Sequence, residues 1–154
     1  MKISDFLLPG SVCPDLHSSG KIDVLTEMAG IIAGSYSDIN KDEIAALLIE
    51  RERLASTGFG NGASIPHSRV ESIKQVYGAF GISRTGIPFD ATDGQPVHFF
   101  FVLLAPERQN VDDHIHALGR VSQLLRGPDF RQRVLSAKTG EEIFSIIIEE
   151  DGKV

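Results

Sequence analysis

Apolar residues from Ile22 to Tyr36 recur at Val24, Leu25, Met28, Ala29, Ile32 and Ala33, the one-sided spacing of an amphipathic helix. A second helix is predicted from Lys41 to Ala55, with Ile44, Leu47 and Leu48 as its buried stripe. Asn40, with Glu43 three residues on, supplies its capping signature. Ser56-Thr57-Gly58-Phe59-Gly60-Asn61-Gly62 then reads as a turn-rich loop. Beyond it the period changes, and Ala63 to Pro66, Val76 to Ser83 and Val97 to Leu104 read as strands. His98-Phe99-Phe100-Phe101-Val102-Leu103-Leu104 is almost continuously apolar, so both of its faces should be covered by helices. Gly86-Ile87-Pro88-Phe89 and Asp93-Gly94-Gln95-Pro96 read as turns.

After Pro106 the helical period returns. Asn110 is placed to cap a helix from Val111 to Leu125, with Ile115, Leu118, Val121, Leu124 and Leu125 turned inward and Gly127-Pro128 ending it. A short helix from Asp129 to Ser136 follows, and Thr139 with Glu142 opens a last helix through Ile148. Helices, then strands, then helices around a central sheet give an α/β sandwich. The short spacing of the strands implies that some pairs are antiparallel.

The length of 154 residues fits a single domain spanning 1–154, large enough to bury a core without a metal or disulfide staple. Fifteen basic residues against 21 acidic ones leave a net charge of −6, and the basic residues are scattered rather than gathered in a stripe, which argues against a nucleic-acid partner. No apolar run approaches the length needed to cross a membrane, and the Met1 end has no secretory character, so the expected compartment is the cytoplasm. Cys13 is the single cysteine, which excludes an internal disulfide or a zinc cluster. With no basic neighbour in sequence it reads as a packing or surface thiol.

Candidate chemistry gathers around histidine. His17 lies in a polar stretch and reads as a surface residue, and His98 sits inside an apolar strand as a satisfied sheet residue. His67 follows Ile65-Pro66 at the expected end of a short strand, where sites in α/β folds tend to form. Ser56, Thr57, Ser64 and Ser68 can orient an imidazole or bind an oxyanion, and Arg51, Arg53 and Arg69 can neutralise a phosphate. Gly58-x-Gly60-x-Gly62 lacks dinucleotide-binding spacing but offers unhindered backbone N–H groups to an anion. His114 and His116 lie in the first turn of a helix, about 200° apart around its axis, so they cannot face one metal or one substrate together. His114 shares the side of Ala117 and Val121, and His116 that of Arg120, and periodicity leaves either one open as a surface residue.

The stretch from Arg51 to His67, with Arg51-Glu52, Ser56-Thr57-Gly58, Gly60, Gly62 and Pro66-His67, closely resembles the IIA components of the bacterial phosphotransferase system, in the fructose/mannitol class. Pro88-Phe89-Asp90-Ala91, Asp93-Gly94-Gln95-Pro96-Val97, Leu103-Leu104-Ala105-Pro106 and His114-Ile115-His116-Ala117-Leu118 follow in the family's order. The helical His-x-His and the Asp-Gly-Gln-Pro-Val segment resemble most the family's nitrogen-regulatory branch. That branch commonly carries Pro-His-Gly-Lys where this chain has Pro66-His67-Ser68-Arg69, which keeps a positive charge at Arg69.

The resemblance implies a mannitol-type IIA sandwich, a mixed central sheet flanked by helices. It implies that His67 accepts a phosphoryl group from a histidine-containing phosphocarrier protein, with Arg51 supplying charge and His114 a second imidazole. Ser56, Thr57, Gly60 and Ser68 would complete a phosphate cradle. No cofactor and no metal are implied, because the donor already carries an activated phosphoryl group. The implied partners are the phosphocarrier and regulated proteins such as kinases or ion transporters; the alternative is a sugar-transport subunit that serves a IIB domain.

Overall fold

The uninterrupted apolar run becomes the central strand. A computed structural model describes residues 1–108 and 111–153. After a short 3₁₀ turn at Ile3–Asp5 the elements are β1 (Leu7–Cys13), α1 (Lys21–Ala33), α2 (Lys41–Leu54), β2 (Gly58–Gly60), β3 (Ala63–Ser64), β4 (His67–Val70), β5 (Tyr77–Ile87), β6 (Val97–Pro106), α3 (Val111–Arg126), α4 (Pro128–Ser136) and α5 (Gly140–Asp151). The sheet order is β1-β5-β6-β3-β2, with β4 also paired to β6. β1 runs parallel to β5, β3 and β4 run parallel to β6, and the β5–β6 and β2–β3 pairs are antiparallel. The sheet is therefore mixed, as expected.

Alternation along β6 divides the core in two. Phe99, Phe101 and Leu103 pack with Ala117, Val121, Leu125, Phe130, Val134, Ile143 and Ile147 of α3, α4 and α5. Phe100, Val102 and Leu104 pack with Val24, Leu25, Met28, Ile32, Ile44 and Leu48 of α1 and α2. Each face of the strand has its own helical layer, which is why no polar residue occurs from Phe99 to Pro106.

The helix signals work as their chemistry requires. The Asn40 side chain accepts from the N–H groups of Asp42 and Glu43 at 2.9 and 3.1 Å. Thr139 accepts from the Glu142 N–H at 3.1 Å. Pro128 becomes the first residue of α4, where its missing N–H costs nothing. Asn110 lies outside the described residues.

The structure corrects or completes the sequence reading at three points. β1 falls in a stretch to which the sequence pattern assigns no element; as an edge strand with shifted register between Leu7 and Val12 it tolerates Pro9 and Gly10. The glycine-rich stretch contains a hairpin rather than only a loop. Asn61 and Gly62 have φ of +54° and +76°, the paired positive values of a two-residue primed turn joining β2 to β3. Gly86 and Ile87, expected in a turn, belong to β5. Gly86 has φ of +87°, and a Cβ there would lie 2.9 Å from the His98 ring.

A fourth correction bears on the site. β3 and β4 share one register along β6, Ala63 and Ser64 opposite Phe99 and Phe100, His67 and Ser68 opposite Leu103 and Leu104. The expected strand Ala63 to Pro66 therefore continues through His67. Pro66 interrupts the N–H ladder but not the path, since its carbonyl still accepts from the Leu103 N–H at 3.0 Å.

Candidate functional site

Three elements meet at His67: the C-terminal turn of α2, the start of β4 and the first turn of α3. The half-buried His67 ring turns Nδ1 back to the Ile65 carbonyl at 2.8 Å. A carbonyl can only accept, so Nδ1 carries the proton and the lone pair lies on Nε2. Among the described residues Nε2 makes no hydrogen bond. Burial pushes the ring's pKa down; the Ile65 bond opposes this, the Arg51 charge adds to the lowering and the Glu52 carboxylate opposes it. Near neutral pH the ring is a neutral imidazole with a free nitrogen.

His114 stands beside it, with ring centroids 5.5 Å apart and planes at 66°. It is 7% exposed, and its Nε2 is buried without a hydrogen-bond partner. Burial first, then the His67 and Arg69 charges, push its pKa down to about 4. The two helical histidines do separate, since His116 is exposed. Because His114, Ala117 and Val121 form the inner face, Ile115 is rotated about 100° outward and is 63% exposed, where the spacing had placed it in the core.

The remaining expected site residues divide between site and framework. Arg51 is half-buried at the end of α2; its Nη1 donates to the Ala55 carbonyl at 3.0 Å, and its charge reaches His67. Arg53 is exposed and pairs with Glu50 at 3.2 Å. Arg69 donates to the Pro106 carbonyl at 3.0 Å and its charge reaches His114. The Ser56 hydroxyl donates to the Phe89 carbonyl at 2.9 Å and accepts from the Gly58 N–H at 3.1 Å. The Thr57 hydroxyl donates to Glu52 at 2.7 Å. Both protons are thus committed to the framework. Ser68 donates to the Arg69 carbonyl at 3.3 Å. Gly60 enters the hairpin turn with φ of +96°, on a side that faces Thr92 and Asp93.

Elsewhere, burial raises the pKa of the half-buried Cys13 thiol, opposite to what a reactive thiolate needs. His17 is exposed, and His98 Nδ1 donates to the Ser83 carbonyl at 2.9 Å. The residue that sequence reasoning missed is Glu52, a carboxylate 5% exposed at the end of α2. On a helix ending Ile-Glu-Arg-Glu-Arg-Leu it reads as one more solvated charge, and only the fold shows otherwise.

Residues 5–150 match the family described as phosphoenolpyruvate-dependent sugar phosphotransferase system, EIIA 2. The chain belongs to that family. A nitrogen regulatory protein from Bradyrhizobium diazoefficiens is 33% identical to this IIA chain over 147 residues, 96% of this chain and 95% of that protein. A fructose-specific EIIABC component from Bacillus subtilis is also 33% identical, over 98% of this chain but only 24% of its own length. Among solved structures, the nitrogen regulatory protein IIA-Ntr from Neisseria meningitidis superposes with a TM-score of 0.85 at 30% identity, covering 94% of this chain and 98% of that one. Among the described residues of this IIA chain no helix is long and apolar enough to cross a membrane.

Proposed function

We propose that this IIA chain is a regulatory phosphoryl acceptor of the nitrogen type, in which His67 takes a phosphoryl group from a histidine-containing phosphocarrier and its phosphorylation state controls partner proteins such as kinases or ion transporters. The observation that carries the reading is the His67 ring, whose proton is held on Nδ1 by the Ile65 carbonyl so that Nε2 is the nucleophile. The Nε2 lone pair attacks phosphorus in line. The P–N bond of the carrier's phosphohistidine breaks, and its electron pair returns to the carrier's imidazole. Nδ1 keeps its proton throughout, and the Ile65 carbonyl stabilises the positive charge that develops on the ring.

Transfer of this kind needs positioning and neutralisation of the phosphoryl oxygens. Arg51 supplies the neighbouring cation by leaving the Ala55 carbonyl, and His114 in its Nε2–H form gains the partner that it lacks at rest. Backbone N–H groups and Ser68 remain available as lesser contacts, whereas Ser56 and Thr57 act from the framework. Leu54 and Ile115, 79% and 63% exposed, belong to the same two helix ends as Arg51 and His114 and give a protein donor an apolar rim to seat against.

The regulatory reading is favoured because the nitrogen regulatory relatives match along nearly their whole length. The second reading, delivery to a IIB domain in sugar uptake, is favoured by the fructose-specific relative of equal identity. The test is incubation with phosphoenolpyruvate, enzyme I and candidate carriers, followed by intact mass. One acid-labile addition of about 80 Da is expected, and His67→Ala should abolish it. Persistent labelling that maps to His114 would refute the assignment. Onward transfer to an isolated fructose IIB domain at a rate matching the loading step would favour the second reading.

A further inference from the structure

The buried Glu52 carboxylate is connected to the His67 ring through a continuous series of hydrogen bonds. Its Oε1 accepts from the Thr57 backbone N–H at 2.8 Å, and its Oε2 accepts from the Thr57 hydroxyl at 2.7 Å. Having given away its only proton, the Thr57 oxygen must be the acceptor in its 3.0 Å contact with the Ser64 hydroxyl. The Thr57 carbonyl accepts from the Ile65 N–H at 3.3 Å, and the Ile65 carbonyl accepts from His67 Nδ1. The Thr57 end of the Thr57–Ile65 bridge is thereby anchored at two points to α2. Lys21, at 3.4 Å from Oε1, is the cation that accompanies the carboxylate.

We propose that Glu52 is a positioning residue for phosphoryl transfer: by gripping Thr57 at two points it fixes the Ile65 carbonyl, and that carbonyl fixes the His67 ring with Nε2 presented outward. The inference rests on the reading of His67 as the acceptor. Glu52 never touches the reacting atoms. Its use is to suppress the other imidazole tautomer and the ring flip, either of which would withdraw the lone pair from the line of attack. Its negative charge also opposes the Arg51 charge at His67. The charges that act on the ring are therefore those of Arg51 and Glu52 from α2; His114 of α3 lies beside it, and the Arg69 charge from β4 acts on His114.

Charge and positioning separate in two substitutions. In Glu52→Gln the amide oxygen accepts from the Thr57 N–H while its NH₂ donates to the Thr57 hydroxyl, which then donates to Ser64. The geometry survives with the bond direction reversed and the charge gone. Glu52→Ala removes the grip. The measurements are the His67 tautomer from imidazole ¹⁵N shifts, and single-turnover phosphorylation across a range of phosphorylated-carrier concentrations.

Glu52→Ala should lose the dominance of the Nδ1–H tautomer. Its maximal rate should fall on the order of ten- to a hundredfold, with the half-saturating carrier concentration unchanged. Glu52→Gln should restore the tautomer and bring the rate back to within about threefold of the parent, with a lowered His67 pKa. A folded Glu52→Ala protein with the parent tautomer and rate would overturn the proposal, as would a Glu52→Gln protein as slow as Glu52→Ala. If Glu52→Ala does not fold, the near-isosteric Thr57→Val decides: partial tautomer mixing and a several-fold slower rate are expected, and no change in either refutes the positioning role. A parent protein that accepts no phosphoryl group would sink the acceptor reading, while the tautomer comparison would still test the grip.

Discussion

His114 is a histidine folded into a place where protonation is costly, and that cost should be measurable as a pH dependence of stability. Its pKa is pushed down to about 4, chiefly by burial and then by the His67 and Arg69 charges, against about 6.5 in an unfolded chain. Between those values the unfolded chain binds a proton that the folded chain refuses. Stability therefore falls as pH drops through 6.5 and stops falling below about 4. Near pH 7.5 the penalty is negligible, and at pH 4.5 it reaches roughly 2–3 kcal/mol. Urea unfolding followed by far-UV circular dichroism at pH 7.5 and 4.5 gives the slope, and carboxylate titrations contribute to it in every variant. His114→Gln removes the imidazole, so its loss between the two pH values should be smaller than the parent's by roughly that 2–3 kcal/mol, whatever its absolute stability. His116→Gln, altered on the exposed side of the same turn, should keep the parent slope. Equal slopes in the parent and His114→Gln would show that His114 is not held as a buried neutral ring, and its proposed role as an uncharged donor would fail with it.

Arg51→Ala should slow phosphoryl acceptance about a hundredfold in quenched-flow assays while leaving the melting curve nearly unmoved, and Arg51→Lys should recover part of the rate because it restores charge without the guanidinium fork. His114→Ala should impair transfer strongly and His116→Ala hardly at all; equal losses in two folded variants would refute the placement of the two rings. Gly140→Ala should lower stability by about 1–3 kcal/mol, seen as a fall of about 2–4 °C in Tm per kcal/mol, because a Cβ there would lie 2.7 Å from the Val12 carbonyl oxygen where α5 starts against β1.

Where a segment's fate depends on its own spacing, the sequence reading and the structure agree. α1, α2, α4 and α5 begin and end within a few residues of expectation because their periodicity, the Asn40 and Thr139 caps and Gly127-Pro128 are local signals, and β6 was recognisable as doubly covered from its own composition. β1 was not legible, because Leu7, Pro9 and Gly10 become a strand only by pairing with β5 some seventy residues later. The hairpin at Asn61-Gly62 was legible and was missed: Asn-Gly between short strands is a strong turn signal, hidden here among flanking glycines. Ile115 was misplaced because an apolar residue was assumed to face inward, whereas the polar His114 takes the inner position. Arg51, His67 and His114 could be singled out as reactive types, but the direction of the His67 ring and the burial of Glu52 follow from contacts that no spacing rule contains.

The interruption between β3 and β4 explains why the proposed nucleophile, His67, is placed where it is. An unbroken strand along β6 would spend the backbone groups of residues 65 and 66 on neighbouring strands and hold the chain in regular pleat. Pro66 has no N–H to give, and the ladder pauses for two residues before His67 resumes it in the same register. The Ile65 carbonyl is released by that pause to accept from the His67 ring, while the Pro66 carbonyl keeps the chain pinned to Leu103. The imidazole is therefore rooted in a rigid strand but oriented by a bond available only at the break. Ser56, Thr57 and Ser64 fit the same arrangement: their hydroxyls hold the hairpin and α2 in place, so the groups left to meet an incoming phosphoryl oxygen are cationic or imidazole donors. On the proposed reading, Arg51 and His114 rather than the Ser56 and Thr57 hydroxyls receive a phosphoryl group on Nε2. That ordering is why substitutions at Arg51 and His114 are expected to change the transfer rate directly, whereas substitutions at Thr57 act through the direction of the His67 ring.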